Sequence, residues 1–135
     1  MNRRDWLLLA ITADDDSGLS PVQLQRSLFL VSQKREKHIG PGFYEFELRE
    51  SGPFSKDLYV DLDALVAAGH VMKKWQPGCP WSVFRSTDMS RTWAKELRPK
   101  AKKEALSYLE EAVAWVKQQT FYDLAHKTPT IRVVG

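Results

Sequence analysis

One cysteine, three histidines and no long apolar run limit the chemistry open to this 135-residue chain. A lone Cys79 excludes an intramolecular disulfide and a cysteine-built zinc cluster, and it fits a reducing, cytoplasmic setting. His38, His70 and His126 stand apart from one another, and none has a second ligand at helical spacing, so no metal is expected. Nothing approaches the roughly 20 apolar residues of a membrane span, and no membrane partner is expected. Residues 1–11 place two arginines before an apolar stretch, as a secretory leader does. Asp14-Asp15-Asp16 follows instead of a small-residue cleavage site, so the segment reads as an amphipathic first helix. Those three aspartates lack the glycine and terminal glutamate of a calcium loop and read as a solvated turn. Phosphate-cradling glycine loops, Gly-x-Ser-x-Gly elbows and dinucleotide fingerprints are absent, so nothing points to an enzyme or a cofactor.

What is present is an ordinary globular balance, 43% hydrophobic and 27% charged, in a length that suits one domain. The charge is uneven. Residues 1–67 hold eight Lys/Arg against eleven Asp/Glu, and residues 68–135 hold twelve against six. The basic excess therefore falls on the second half, where it can attract phosphate or simply solvate helix surfaces.

Local signals set an order of elements. Trp6, Leu9 and Ala10, with Leu7 and Ile11 alongside, predict a helix over about 2–13. Ser20-Pro21 is an N-cap followed by a first-turn proline, and it starts a second helix with Leu24, Leu28, Phe29 and Val31 on its buried side. That helix fades through residues 33–37 and stops by Gly40. Residues 43–48 alternate partly, as a short strand at the edge of a wing or as an extended loop. Gly52-Pro53 is a break, and Ser55 is positioned to cap a third helix over 55–68 that buries Leu58, Leu62, Leu65 and Val66 and ends at Gly69. A β-hairpin is expected next, 70–76 and 81–87 around Pro77-Gly78-Cys79-Pro80. Ser86 or Thr87 caps a helix bearing Trp93, Ala94 and Leu97, and Pro99 interrupts it. The last long helix carries Leu106, Leu109, Val113, Val116 and Thr120 at heptad spacing. That seam packs either on the chain's own core or against a twin helix, and Pro129 ends the ordered part.

Helix, helix, helix, hairpin is the order of a winged helix-turn-helix: a mainly α (α+β) fold with a winged core over 1–87 and C-terminal helices over 88–135, which belong to the same domain, dimerise, or both. Such a fold sets the helix before the wing in the major groove, with the wing near the backbone or minor groove. Here that helix carries Lys56 but also Asp57, Asp61 and Asp63, and its carboxylates oppose phosphate contact. The better cations are Lys73, Lys74 and Arg85 on the hairpin, then Arg91 and Lys95 after it, with Arg98, Lys100, Lys102 and Lys103 continuing the run. Trp75 and Trp81 flank the hairpin turn, where they either pair across the strands or meet a base or a protein partner. Cys79, at the predicted hairpin tip, reads as an incidental turn residue, the alternative being an exposed thiol that senses oxidants.

Leu24-Gln25-Arg26-Ser27-Leu28-Phe29-Leu30, then Phe43-Tyr44-Glu45-Phe46, then Gly52-Pro53-Phe54-Ser55 with Leu58-Tyr59, Asp61-Leu62, Leu65 and Gly69, resembles small bacterial winged-helix proteins. The pattern covers roughly residues 19 to 87 and is similar to Panacea antitoxin-like domains. The order of elements also resembles PadR-like and MarR-like regulators, which dimerise through terminal helices. The resemblance implies a bacterial or phage transcriptional regulator, a homodimer on double-stranded DNA, with Lys56, Tyr59, Lys73, Lys74, Arg85, Arg91 and Lys95 as contacts. The alternative it implies is an antitoxin-like or adaptor module that works through protein contacts and binds no DNA.

Overall fold

The computed structural model describes residues 1–14, 17–50, 52–75 and 77–126. Seven α-helices are described there: α1 (Arg3–Thr12), α2 (Pro21–Lys34), α3 (Glu36–Ile39), α4 (Lys56–Ala67), α5 (Asp88–Leu97), α6 (Lys103–Lys117) and α7 (Phe121–His126). Two antiparallel hairpins complete the fold: β1 (Glu47–Arg49) with β2 (Gly52–Phe54), and β3 (Val71–Trp75) with β4 (Ser82–Ser86). The protein is thus mainly helical with two small sheets. Asp15, Asp16 and the expected stop at Pro129 lie outside the described residues.

Most helix starts follow the expected local chemistry. Asn2, Ser20 and Thr87 each accept from the third backbone N–H of their helices, and Asp5, Gln23 and Ser90 answer from the other side to complete capping boxes. α4 lacks the cap its sequence offered, and α3 and α6 likewise begin without a side-chain cap. The Ser55 side chain makes no cap, contrary to expectation. Its backbone is gripped instead by Gln25 of α2, whose amide accepts from Ser55 N at 2.8 Å and donates to Ser55 O at 3.0 Å. A buried side-chain amide thus replaces the hydroxyl cap and ties α4 to α2. At its other end α4 stops as expected: Gly69 takes φ +83°, and His70 N donates back to Leu65 O.

α1 departs from the amphipathic reading. Trp6 through Ile11 are all buried, so the helix is apolar on every side and runs through the core. It packs on α2, α4, α5, α6 and β4. The α6 seam packs on the chain's own core over Leu109, Val113 and Val116, with Leu106 partly buried and α6 along α2; α6 ends at Lys117, so the expected last seam position, Thr120, lies beyond it, exposed. Arg35, at the end of α2, places its guanidinium over the Tyr108 ring of α6, 5.3 Å from the centroid. Within α2 the buried Arg26 donates to the Leu124 carbonyl and so fastens α7, and burial lowers its pKa.

The segment around Gly52-Pro53 is also not what its residues suggest. Gly52-Pro53-Phe54 is a strand, and its partner is Glu47–Arg49 rather than the later hairpin. Residues 43–46 are extended loop, with Phe46 edge-on to Phe29 at 5.5 Å. Pro53 stays compatible with pairing because the sheet has only two strands.

Leu19, between α1 and α2, forms an isolated antiparallel bridge to Phe84. Leu19 N donates to Phe84 O at 3.0 Å, and Phe84 N donates to Leu19 O at 2.8 Å. β4 is therefore bonded on both edges, by β3 and by Leu19. Gly18 permits this approach: it sits at φ +96°, and a Cβ there would come within 2.8 Å of Val83 Cγ2.

Candidate nucleic-acid interface

The hairpin register sorts the expected contacts. Residues opposite each other on paired strands share a face, and faces alternate along each strand. Val71↔Ser86, Lys73↔Phe84 and Trp75↔Ser82 therefore lie on one face, and Met72↔Arg85 and Lys74↔Val83 on the other. Val71 and Phe84 anchor the first face in the core. Lys73 and Lys74 thus point to opposite sides and do not act as one patch. Lys74 instead shares its side with Arg85.

α5 supplies the next cation. Its first turn meets the hairpin in a groove of about 370 Å³ lined by Met72, Arg85, Ser86, Thr87, Asp88 and Arg91. Arg91 Nη1 donates to Ser86 Oγ at 2.9 Å, and the same guanidinium pairs with the fully exposed Asp88. Arg91 thus lines the same groove as Arg85, with the Asp88 carboxylate paired to its guanidinium. Lys95 follows one helical turn later on the same flank of α5, exposed. Lys74 shares the face of Arg85, so the cations gather around this groove from the hairpin and from α5.

The two α4 candidates sit elsewhere. Lys56 is exposed at the first position of α4, about 17 Å from its last turn by helical rise. The Tyr59 ring is half-buried against Phe54, with centroids 5.5 Å apart, and burial raises its pKa. It packs on β2 more than it faces solvent.

The acidity of α4 has a structural cause that the pattern of residues only hinted at. Asp61 is 3% exposed. Arg3 Nε donates to its Oδ2 at 3.1 Å, Arg4 Nη2 to its Oδ1 at 3.2 Å, and Tyr44 Oη to Oδ2 at 2.7 Å. Arg3 also reaches Asp57 at 3.1 Å and lies over the Tyr44 ring. Two of the three α4 carboxylates are therefore matched by the arginines that begin α1, and only Asp63 faces solvent without one of these partners. The available signal was an aspartate inside the stripe Leu58, Leu62, Leu65. Its arginine partners lie more than fifty residues away, beyond the reach of periodicity.

Tyr44 gives this network a pH signature. Burial, then its hydrogen bond to the Asp61 carboxylate and that group's charge, push the phenol well above its ordinary 10. The unfolded chain therefore loses this proton first as pH rises. The stabilisation is complete below pH 10 and declines above it, by about 1.4 kcal/mol per pH unit while only the unfolded form ionises. Tyr44→Phe is expected to flatten the fall in urea-unfolding free energy between about pH 10 and 11 by that amount. Equal slopes in wild type and variant would show that Tyr44 is not the group responsible.

The remaining candidates fall into place around this frame. Trp75 faces Ser82 across the ladder, so Trp75 and Trp81 are one position out of register and do not form the direct pair considered from sequence. Cys79 is half-buried rather than exposed at a tip. It borders a cleft of about 360 Å³ with Gly18, Trp81, Val83 and Lys117 among its walls. Asp14 is not solvated either: its carboxylate accepts from Gly18 N at 2.6 Å and pairs with Lys117 of α6. Among the described residues no cluster of His, Cys, Asp or Glu forms a metal site, and no helix is long and apolar enough to cross a membrane. Comparison with protein-family models, curated proteins and solved structures finds no match.

Proposed function

We propose that this chain is a winged-helix DNA-binding protein, a transcriptional regulator of the bacterial or phage kind. The groove that Arg85 and Arg91 share, with Lys74 on the face of Arg85 and Lys95 one turn beyond Arg91, carries the reading. The topology supports it: α1, a bridging residue, α2, then α4 after the short α3 and the β1–β2 hairpin, then a hairpin whose second strand pairs with that bridge, is the order of a winged helix with an inserted hairpin. The wing and the first turn of α5 make the phosphate contacts. α4 contributes Lys56 at its start, while its remaining exposed positions, Asp57, Val60, Asp63 and Ala67, offer little to base edges. Backbone contact therefore dominates over base reading in this interface. A homodimer pairs through a surface other than the α6 seam, which the chain's own core occupies.

The test is fluorescence anisotropy with a mixed-sequence duplex across a salt series. Four phosphate contacts predict a log–log slope of about −3 to −4. Absence of binding at about 50 mM salt, with tens of micromolar protein, would remove the reading. The antitoxin-like alternative would then take its place. Its support is the exposed pair Met89 and Trp93, one turn apart on the flank of α5 away from Arg91.

A further inference from the structure

Trp75 is 63% exposed at the end of β3, and a large indole in that position calls for a partner. Its surroundings restrict the choice. Its cross-strand neighbour is Ser82, which covers little. Lys73 lies two positions back on the same face, about 7 Å along the strand. Lys74 precedes it on the opposite face, with Arg85 beyond. The face that holds Val71 and Phe84 in the core thus runs past the core at Lys73 and Trp75, which project from it.

A tryptophan anchoring a protein contact sits inside a ring of groups that exclude water. The neighbours of Trp75 on its own face of the ladder are polar instead, Ser82 opposite and Lys73 two positions back. Cations on both faces of a strand that ends in a flat aromatic complement a flat group with anions on either side. That is a nucleic-acid base between its phosphates. A base inside an intact duplex offers only its edge, so an indole can stack only on one that is unpaired or unstacked.

We propose that Trp75 is a base-stacking element of the wing, and that the protein prefers duplex DNA interrupted by an unpaired base over fully paired duplex. This rests on the DNA-binding reading above. The wing enters beside the interruption, Trp75 stacks on the exposed base, and Lys73 and Lys74 meet the phosphates flanking it.

The experiment is anisotropy with the full chain and two labelled duplexes that differ by one extra, unpaired thymine. Wild type is expected to bind the interrupted duplex about tenfold more tightly. Trp75→Ala is expected to bind both duplexes equally, at the wild-type affinity for the paired one, and Trp75→Phe to keep most of the preference. On a given duplex the salt slope should be the same for wild type and the Trp75 variants, because stacking itself releases no counterions. Circular dichroism checks that the variants fold, which the exposure of Trp75 favours. Equal wild-type binding to both duplexes overturns this inference alone and leaves the DNA reading standing. A Trp75→Ala loss of the same size on both duplexes also overturns it. Failure to bind either duplex overturns both. If Trp75→Ala lowers the mass seen by sedimentation and leaves the preference intact, the indole faces a second copy of the chain, and the stacking role is overturned.

Discussion

Replacing Asp61 with alanine is expected to destabilise the protein by about 3 kcal/mol, lowering the melting temperature by about 10 °C. Removing one member of a buried ion pair leaves its partners desolvated without compensation, and this typically costs about 3–5 kcal/mol. Arg3 and Arg4 keep 32% and 50% of their side-chain surface in water, which softens their share of that loss. Tyr44 has no such relief: its buried hydroxyl would lose its 2.7 Å acceptor, worth about 1–3 kcal/mol. Asp57→Ala is the internal control. Its carboxylate is 58% exposed and pairs only at the surface, so the change should cost less than about 1 kcal/mol. Asp61→Asn keeps the shape and one acceptor oxygen, and it should fall between the two. Urea unfolding with a common slope would measure all three. An Asp61→Ala value within about 0.5 kcal/mol of wild type would show that the network contributes nothing to stability.

The double change Lys74→Glu with Arg85→Glu is expected to cut affinity for paired duplex DNA by about 100-fold or more at about 50 mM salt. Two attractive charges become two repulsive ones on the face where Arg91 also points. The log–log salt slope should shrink by about 2, one unit for each lost phosphate contact. Lys73→Glu changes one charge on the other face of the hairpin and is expected to have a smaller effect. Arg85 is half-buried and its side chain lies near Gly18, so the single Lys74→Glu variant, at an exposed position, guards against a loss caused by misfolding. Unchanged affinity and slope in a folded double variant would move the interface off the hairpin.

The contrast between these two predictions shows how the sequence conveys some of this molecule and withholds the rest. Cap residues, stripe spacing and terminal glycines placed most helices correctly because those signals act within a few residues. Ser20-Pro21, Thr87 and Gly69 did what their types require. The hairpin was legible for the same reason, and its cations were visible as letters. Their division between two faces was not, because it follows from a register set by Val71 and Phe84 entering the core. Gly52-Pro53 reads as a break in any local window. It became a strand because Glu47–Arg49 folded back onto it and α2 and α7 packed against it.

The candidate site shows the same division. Acidic residues on α4 were legible as an obstacle to phosphate contact. Their neutralisation by Arg3 and Arg4 depends on α1 passing beside α4, a contact between residues more than fifty positions apart. By itself the sequence determined most of the helices and several of their ends, the hairpin after α4 and the excess of positive charge in the second half. Hydrogen bonding and periodicity over a few residues suffice for these. Only the tertiary structure decided which cations share a surface, which carboxylates turn inward, that α1 is enclosed on all sides, and that the α6 seam closes on α2. Each of these depends on which distant segments meet when apolar surface leaves water, and that choice is made by the packing of the whole chain.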